Sequence, residues 1–476
     1  MTQPGHRRDV VVIGAGVVGA AIARELSRFE LRCTLIEAGT DVGVGTSKAN
    51  TALLHTGFDA KPGTLESRLV RRGFELLGAY ATRVGIAVER TGALLVAWNE
   101  EQQRELPAIV ERSHANGYHA IADVSVDDLY RREPHLGPGA LGALEVPDES
   151  IICPFTPPLA FATEAVMSGC ELRLGTAVTG LSRLDDGGFL VHTTRGELHA
   201  RVVINAAGLR SDEVDHLAGF DRFTVTPRRG ELVVFDKLSR PLVEHILLAV
   251  PTATTKGVLV APTVFGNVLL GPTAEDIDRK DDTSSTRAGI DHLLSEGARI
   301  VPELVRHEVT ALYGGSRAAT EHDDYQVHLH APEGYACVGG IRSTGLSASM
   351  GIAEHVRQGL EGAIPRMEPK PSLPAVRMPQ IGERSDRPYA QPDTIARDPE
   401  YGRVVCFCER VTAGEIRDAL RAQVPAVDLD GLRRRTRTMM GRCQGFYCGA
   451  RVSAMLRSGP SGAGLRAESD RTESLH

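Results

Sequence analysis

The sequence predicts an α/β chain in three parts, and three observations carry that reading. Residues 9–37 pass from an apolar run into Gly14-Ala15-Gly16-Val17-Val18-Gly19, then through a helical pattern into a second apolar run ending on Glu37. Residues 224–272 hold short apolar runs (GELVVF, HILLAVP, GVLVAPTVFGNVLLGPT) separated by turns, the mark of an antiparallel sheet. Beyond a proline-rich stretch, four of the eight cysteines crowd positions 406, 408, 443 and 448. In a strand, glycine turn, helix and strand of the first kind, one glycine permits the turn, the next admits a pyrophosphate and the third lets helix pack on strand. The phosphates sit on the helix N-terminus, and Glu37 is placed to accept a hydrogen bond from a ribose hydroxyl. Gly14, Gly16, Gly19 and Glu37 thus indicate a dinucleotide without choosing between a nicotinamide and a flavin.

Composition narrows the class. The 476 residues suit two to three domains. Hydrophobic content of 42%, charged content of 24% and a mean hydropathy of -0.13 describe an ordinary globular protein. A net charge of -7 argues against a nucleic-acid surface. The basic flank before the first apolar run mimics a signal peptide, but the glycines break that run. No stretch approaches the roughly 20 apolar residues of a membrane span, so a cytoplasmic chain is expected, with peripheral contact at the inner membrane face allowed.

In chain order, residues 38–64 form a polar, glycine-rich connector, and long loops of this kind are usually functional. Helical spacing follows over 67–80, a strand over 92–98, helices over 100–116 and 124–133, and a strand over 144–152 returning toward the nucleotide domain. A helix over 157–169, a strand over 171–179 and a hairpin of 188–192 with 196–200 lead to RVVINAAG at 201–208. A strand ending in Ala-Ala-Gly lets backbone approach a ligand, which marks Ala207 and Gly208 as a second cofactor contact. Later come helices over 286–299 and 345–360, with strands over 309–317, 325–330 and 335–341. Residues 366–400 read as an extended Pro-rich linker, 401–455 as a small separate unit and 456–476 as a disordered tail. Cys33, Cys153, Cys170 and Cys337 read as free core thiols.

The terminal spacing is C-x-C-x34-C-x4-C. Two tight cysteine pairs can close a shell around zinc or hold the two irons of a 2Fe-2S cluster. A helix over 412–423 lies between them, with Thr412 and Glu415 as a capping box, and the basic LRRRTRTMMGR would lie beside an anionic cluster. CFCERVTAGEI with RRTRTMMGRCQGFYC resembles the bacterioferritin-associated ferredoxin-like domain, a similarity over about fifty residues. It implies a small helical 2Fe-2S domain with Cys406, Cys408, Cys443 and Cys448 as ligands.

The main body resembles the FAD-dependent glycerol-3-phosphate dehydrogenase and L-2-hydroxyglutarate oxidase branch of the D-amino acid oxidase-like superfamily. The residues that carry the match are GAGVVGAAIARELSR, TSKANTALLHTGFDAKPGT, RVVINAAG, VAPTVFGNVLLGPTAED, YGGSRAAT and GGIRSTGLSAS. The resemblance implies a Rossmann-like FAD-binding domain of discontinuous segments (about 1–75, 140–215 and 305–365) with an inserted, mostly antiparallel α+β substrate domain (76–139 and 216–304). FAD contacts are implied at Gly14, Gly16, Gly19, Glu37, Thr46, Ser47, Asn50, Val178, Ala207, Gly208, Gly340, Arg342, Ser343, Thr344, Gly345 and Leu346. Arg342 either compensates charge on the reduced flavin or forms a salt bridge. His55 matches the active-site histidine, as base or as the group that orients the substrate hydroxyl. Lys256 and Arg317 are candidates for an anion clamp, and a two-cation clamp favours phosphate.

The expected activity is oxidation of glycerol 3-phosphate to dihydroxyacetone phosphate, with electrons leaving FAD through the 2Fe-2S cluster to quinone or a partner redox subunit. Two alternatives remain: a 2-hydroxy acid such as L-2-hydroxyglutarate as substrate, and a non-catalytic redox or docking subunit of a larger complex. The expected partners are a small anionic substrate and an electron acceptor, in a chain suited to hetero-oligomers.

Overall fold

The computed structural model describes residues 7–251, 257–364 and 367–459. It divides into two compact units, Met1–Val376 and Arg377–His476. In the first, an eight-stranded sheet orders Val178–Arg183, Phe189–Thr193, Gly196–Asn205, Arg8–Ile13, Cys33–Ile36 and Glu171–Arg173, with Tyr335–Gly339 added on Gly196–Asn205 and Gln326–His330 on Tyr335–Gly339. Its centre is parallel: Val12 lies opposite Ile204 on one side and Leu35 on the other. Strands covered on both faces need continuous apolar runs, and Val10, Val11 and Val12 are fully buried.

The second sheet has nine strands and is antiparallel except where Ile246–Ala249 runs beside Ala93–Ala97. Its long hairpin-like pair, Thr226–Phe235 with Val309–Ala319, carries the register Arg228 opposite Arg317. A core of Leu94, Val233, Phe235, Val260, Leu270 and Leu293 lies on one face. A third, three-stranded sheet joins Leu53–Leu54, Ser150–Ile152 and Val88–Arg90.

Two expectations change here. The segment 144–152 is not one strand returning to the nucleotide domain. Gly142–Val146 pairs with Ala93–Ala97 in the second sheet, the chain turns at Pro147 to Glu149, and Ser150–Ile152 joins the small sheet. Likewise Val309–Ala319, expected within the FAD-binding segments, belongs to the second sheet. Alternation along a strand fixes which residues share a face but says nothing of which sheet receives it.

The helices Leu65–Val84 and Gly345–Gly359 cross closely because glycines remove the side chains at the contact. A Cβ on Gly73 would stand 2.2 Å from Ser347 O, and one on Gly351 would stand 2.5 Å from Leu69 O. That crossing places Ser347 over the loop that carries His55.

In the second unit a short hairpin, Val404–Cys406 with Val411–Thr412, precedes helices Ala413–Arg421, Leu429–Thr436 and Gly449–Ser458 around Val405, Ile416, Leu432 and Val452. The capping box forms: Thr412 accepts from the Glu415 amide while the Glu415 carboxylate accepts from Thr412. The expected extended linker is only partly extended. Pro388–Ala390, Pro392–Arg397 and Pro399–Gly402 are helical turns, each with proline in its first turn, where the missing N–H costs nothing. They belong to the second unit. The last helix runs through Arg457, into the segment expected as a tail; residues 460–476 lie outside the described residues. Among the described residues no helix is long and apolar enough to cross a membrane.

Candidate active site and cofactor sites

The dinucleotide loop has the form the glycines predict. Gly14 has φ +97°, and a Cβ there would stand 2.5 Å from Ala206 O. A Cβ on Gly19 would fall 1.9 Å from Gly14 O, so the helix Val17–Leu26 packs on the turn only without a side chain. Glu37 braces the loop, its carboxylate accepting from the amides of Ala15 and Gly39, each at 2.7 Å. The Ser47 hydroxyl accepts from Val17 N at 2.9 Å. The amides of Gly16, Val18 and Gly19 have no partner among the described residues. Donors left unpaired at a helix start suit a pyrophosphate, so these residues fit a dinucleotide cofactor.

Other expected contacts gather around this loop. Ala206 N donates to Ile13 O, which sets Ala207 and Gly208 beside the glycines. Thr176 N donates to Glu37 O at 2.7 Å, drawing the segment before Val178 toward Glu37. Thr46 donates to Ser316 O at 2.7 Å, and Asn50 donates to Ser47 O at 2.7 Å. Gly340 holds φ +63° before the turn of Arg342, Ser343 and Thr344.

In that turn the structure gives Arg342 a partner: it pairs with Glu66 at 3.0 Å and donates to Asp323 O. The salt bridge is thus formed in this structure. The Thr344 hydroxyl is also engaged, by Glu66 at 2.6 Å and Tyr325 at 2.5 Å. Ser343 is exposed. What remains open is backbone, since the amides of Gly345, Leu346 and Ser347 have no partner among the described residues.

His55 follows the short strand Leu53–Leu54. Its amide donates to Ser347 Oγ at 2.8 Å, Nδ1 lies 2.7 Å from Glu149 Oε1, and Nε2 lies 3.0 Å from Asp59 Oδ1. Glu149 is 1% exposed, and its Oε1 also accepts from Thr56 N and Thr56 Oγ1. An ionised Glu149 only accepts, so Nδ1 carries a proton and Nε2 is the nitrogen that can change partner. Burial pulls the imidazole pKa down, but the Glu149 and Asp59 carboxylates outweigh it and hold the pKa well above 6.5. Sequence reasoning missed both carboxylates. Asp59 stands in the quoted LLHTGFDAKPGT loop, whereas Glu149 is brought in by pairing of Ser150–Ile152 with Leu53–Leu54.

Arg317 projects from Val309–Ala319. Gly230 makes room for it, because a Cβ there would stand 2.7 Å from Nη2. Its one hydrogen bond runs to Thr273 O at 3.1 Å, and no carboxylate pairs with it among the described residues. Burial and the neighbouring Arg228 push its pKa down, the signature of a cation without a counter-charge. The same strand grips the connector that leads to His55: Tyr313 donates to Asn50 O at 2.9 Å, and Gly315 lies against Ala49. Lys256 lies outside the described residues.

The four terminal cysteines lie in two side-chain pairs, Cys406 beside Cys448 and Cys408 beside Cys443. Backbone amides of Tyr447, Gly445 and Phe446 turned on Cys443 lower its pKa, as a thiolate ligand needs. Four thiols brought together from two loops fit the donor set of a 2Fe-2S cluster. A buried pair, Arg437 with Glu409 at 3.2 Å, ties the two cysteine loops together. Arg410, Arg437, Met439 and Gln444 all hold positive φ here, strain of a kind concentrated at functional sites.

Gly19→Ala is expected to yield folded protein purified with little or no dinucleotide, read as flavin absorbance per chain beside an unchanged far-UV spectrum.

A profile of the family described as FAD dependent oxidoreductase matches residues 9–358, and one described as BFD-like [2Fe-2S] binding domain matches residues 404–458. A glycerol 3-phosphate dehydrogenase of Caloramator mitchellensis is 33% identical, over 94% of this chain and 93% of its own. One subunit of the anaerobic glycerol-3-phosphate dehydrogenase of Escherichia coli K12 is 27% identical over 96% of this chain and 89% of its own. Among solved structures, dithionite-reduced L-alpha-glycerophosphate oxidase from Mycoplasma pneumoniae with FAD bound is similar at a TM-score of 0.74 and 30% identity, covering 79% of this chain and 99% of that one.

Proposed function

The chain belongs to the FAD dependent oxidoreductase family and carries a BFD-like 2Fe-2S domain, and from that premise we propose that it oxidises glycerol 3-phosphate to dihydroxyacetone phosphate. The observation that carries the substrate class is Arg317, a half-buried cation with one neutral hydrogen bond and no carboxylate among the described residues. A half-buried guanidinium left this way is completed by an anionic ligand, and its fork donates to phosphate oxygens two at a time. The 33% identity to a glycerol 3-phosphate dehydrogenase along nearly the whole of both chains supports phosphate over carboxylate.

When bound, FAD supplies the hydride acceptor and the cluster a one-electron carrier. The residues here do the rest. Arg317, with Lys256 as a second cation, holds the anionic end. His55 takes the hydroxyl proton at Nε2, which requires Asp59 to release that nitrogen, while Glu149 keeps Nδ1 protonated and the ring oriented. Cys406, Cys408, Cys443 and Cys448 would hold the 2Fe-2S cluster, which would supply a one-electron exit to quinone or a partner protein. Similarity to a protein named as one subunit of a dehydrogenase supports the second kind of acceptor.

A dye-linked assay tests the substrate: glycerol 3-phosphate is expected to give the highest kcat/KM of a panel, and turnover of 2-hydroxyglutarate alone overturns the choice. Cys443→Ser tests the exit route. It is expected to keep substrate-dependent flavin bleaching while losing the iron–sulfur absorbance and quinone-analogue reduction; undiminished quinone reduction would place the exit elsewhere.

A further inference from the structure

We infer that the arginine-lined cleft on the Leu65–Val84 helix is a second, non-catalytic site for a phosphate-bearing anion, whose occupancy braces the loop carrying Asp59. The cleft encloses about 490 Å³, enough for a phosphate ester, and Ser67, Arg68, Arg71, Arg72, Glu75 and Asn116 are among the residues that line it. Positions 68, 71 and 72 stand at i, i+3 and i+4, so three guanidinium groups share one helix face.

Their own partners leave that face positive. Arg72 is committed to Glu354 at 2.8 Å. Glu75 is the one carboxylate among the lining residues, and it meets Arg71 only at 3.6 Å and Arg72 at 3.5 Å. Arg68 makes no ion pair or hydrogen bond among the described residues. Its unneutralised field reaches His355, whose pKa is lowered first by burial and then by Arg68. A cleft lined by an excess of one charge concentrates the opposite ion. Forked donors on adjacent turns match the several oxygens of a phosphate better than a single carboxylate.

The cleft also touches the catalytic loop from behind. Asn116 donates to the carbonyls of Gly57 and Phe58, each at 3.2 Å, and of Ala60 at 2.7 Å. Gly57 packs on the helix beside the cleft, where a Cβ would stand 3.2 Å from Val70 and 3.5 Å from Arg71 N. Between these fixed points stands Asp59, the residue on His55 Nε2. An anion that orders Arg71 therefore steadies the helix turn on which Gly57 packs, and with it the segment 57–60 that Asn116 ties together, a coupling between two sites through one contiguous contact.

The test uses full-length, FAD-loaded enzyme with inorganic phosphate as probe and chloride at matched ionic strength as control. Phosphate is expected to raise the melting temperature saturably and to slow amide exchange over residues 57–60. Because phosphate also fits the substrate site proposed at Arg317, both effects are read in the Arg317→Gln background, where they are expected to persist and where adding Arg68→Gln with Arg71→Gln abolishes them; with Arg317 intact, the double variant Arg68→Gln with Arg71→Gln keeps its kcat. The single variant Arg68→Gln repeats the measurement with a smaller perturbation. Co-sedimentation with phosphatidylglycerol against phosphatidylcholine vesicles separates the sources. Phosphate-reversible binding to the former that the double variant lacks identifies a lipid headgroup, and a phosphate effect without vesicle binding identifies a soluble phosphate. In the Arg317→Gln background, equal responses with and without the Arg68→Gln and Arg71→Gln changes overturn the site, and a melting shift without slower exchange at 57–60 overturns the coupling.

Discussion

Arg317→Gln lowers kcat/KM for glycerol 3-phosphate by roughly 30-fold to several thousand-fold, the equivalent of about 2–5 kcal/mol for truncating one partner of a buried charge pair. The size follows from the surroundings. The guanidinium is half-buried, donates one bond to Thr273 O and has no protein carboxylate among the described residues to compensate it. The free enzyme therefore bears the desolvation of an unpaired cation, and a bound anion restores what was lost. Glutamine fills similar space and can keep a bond to Thr273 O, so the fold is expected to survive. Arg317→Lys keeps the charge without the fork and should recover only part of the loss. Steady-state kinetics separate the roles: a rise in KM alone marks simple anchoring, while a parallel fall in kcat marks a clamp that also positions the carbon for hydride transfer.

His55→Asn lowers kcat by roughly 10²- to 10⁴-fold, the range typical of removing a general base. The pH dependence carries the finer prediction. Because Glu149 and Asp59 hold the imidazole pKa well above 6.5, kcat/KM should rise along an acid limb that lies at higher pH than an ordinary imidazole would give. Glu149→Gln removes one raising charge, so the limb moves to lower pH while kcat falls through loss of ring orientation. The same linkage acts on stability with a definite sign. A pKa raised in the folded state stabilises fully below the unfolded value of roughly 6.5 and is lost as pH rises through the folded value. Thermal melts across that window should show a decline that Glu149→Gln flattens. An acid limb that stays in place in the variant would remove Glu149 from the account.

Much of the nucleotide unit is legible in the chain because its requirements are local. Gly14, Gly16 and Gly19 are demanded by a turn within six residues, and the strands on either side are apolar throughout. The helices fall within a few residues of their periodic segments: 67–80 becomes Leu65–Val84, and 345–360 becomes Gly345–Gly359. What the chain conceals is non-local. Glu149 reaches His55 across 94 positions, and nothing in Val-Pro-Asp-Glu-Ser distinguishes a buried orienting carboxylate from a solvated turn. Arg342 finds Glu66 across 276 positions, so its salt bridge can be entertained from the sequence but not chosen. The linker reads as extended because proline stiffens an extended chain and opens a helical turn alike. The two cysteine pairs are visible as spacing, but their coupling as 406 with 448 and 408 with 443 depends on how the hairpin meets the last helix.

The most direct measurement is anaerobic mixing of the as-purified enzyme with glycerol 3-phosphate, followed by absorbance in a rapid-mixing spectrophotometer. The account predicts loss of the flavin band within a turnover, then partial loss of the iron–sulfur absorbance, with the first step slowed in Arg317→Gln and His55→Asn. Flavin that stays oxidised with glycerol 3-phosphate but is bleached by 2-hydroxyglutarate would contradict it.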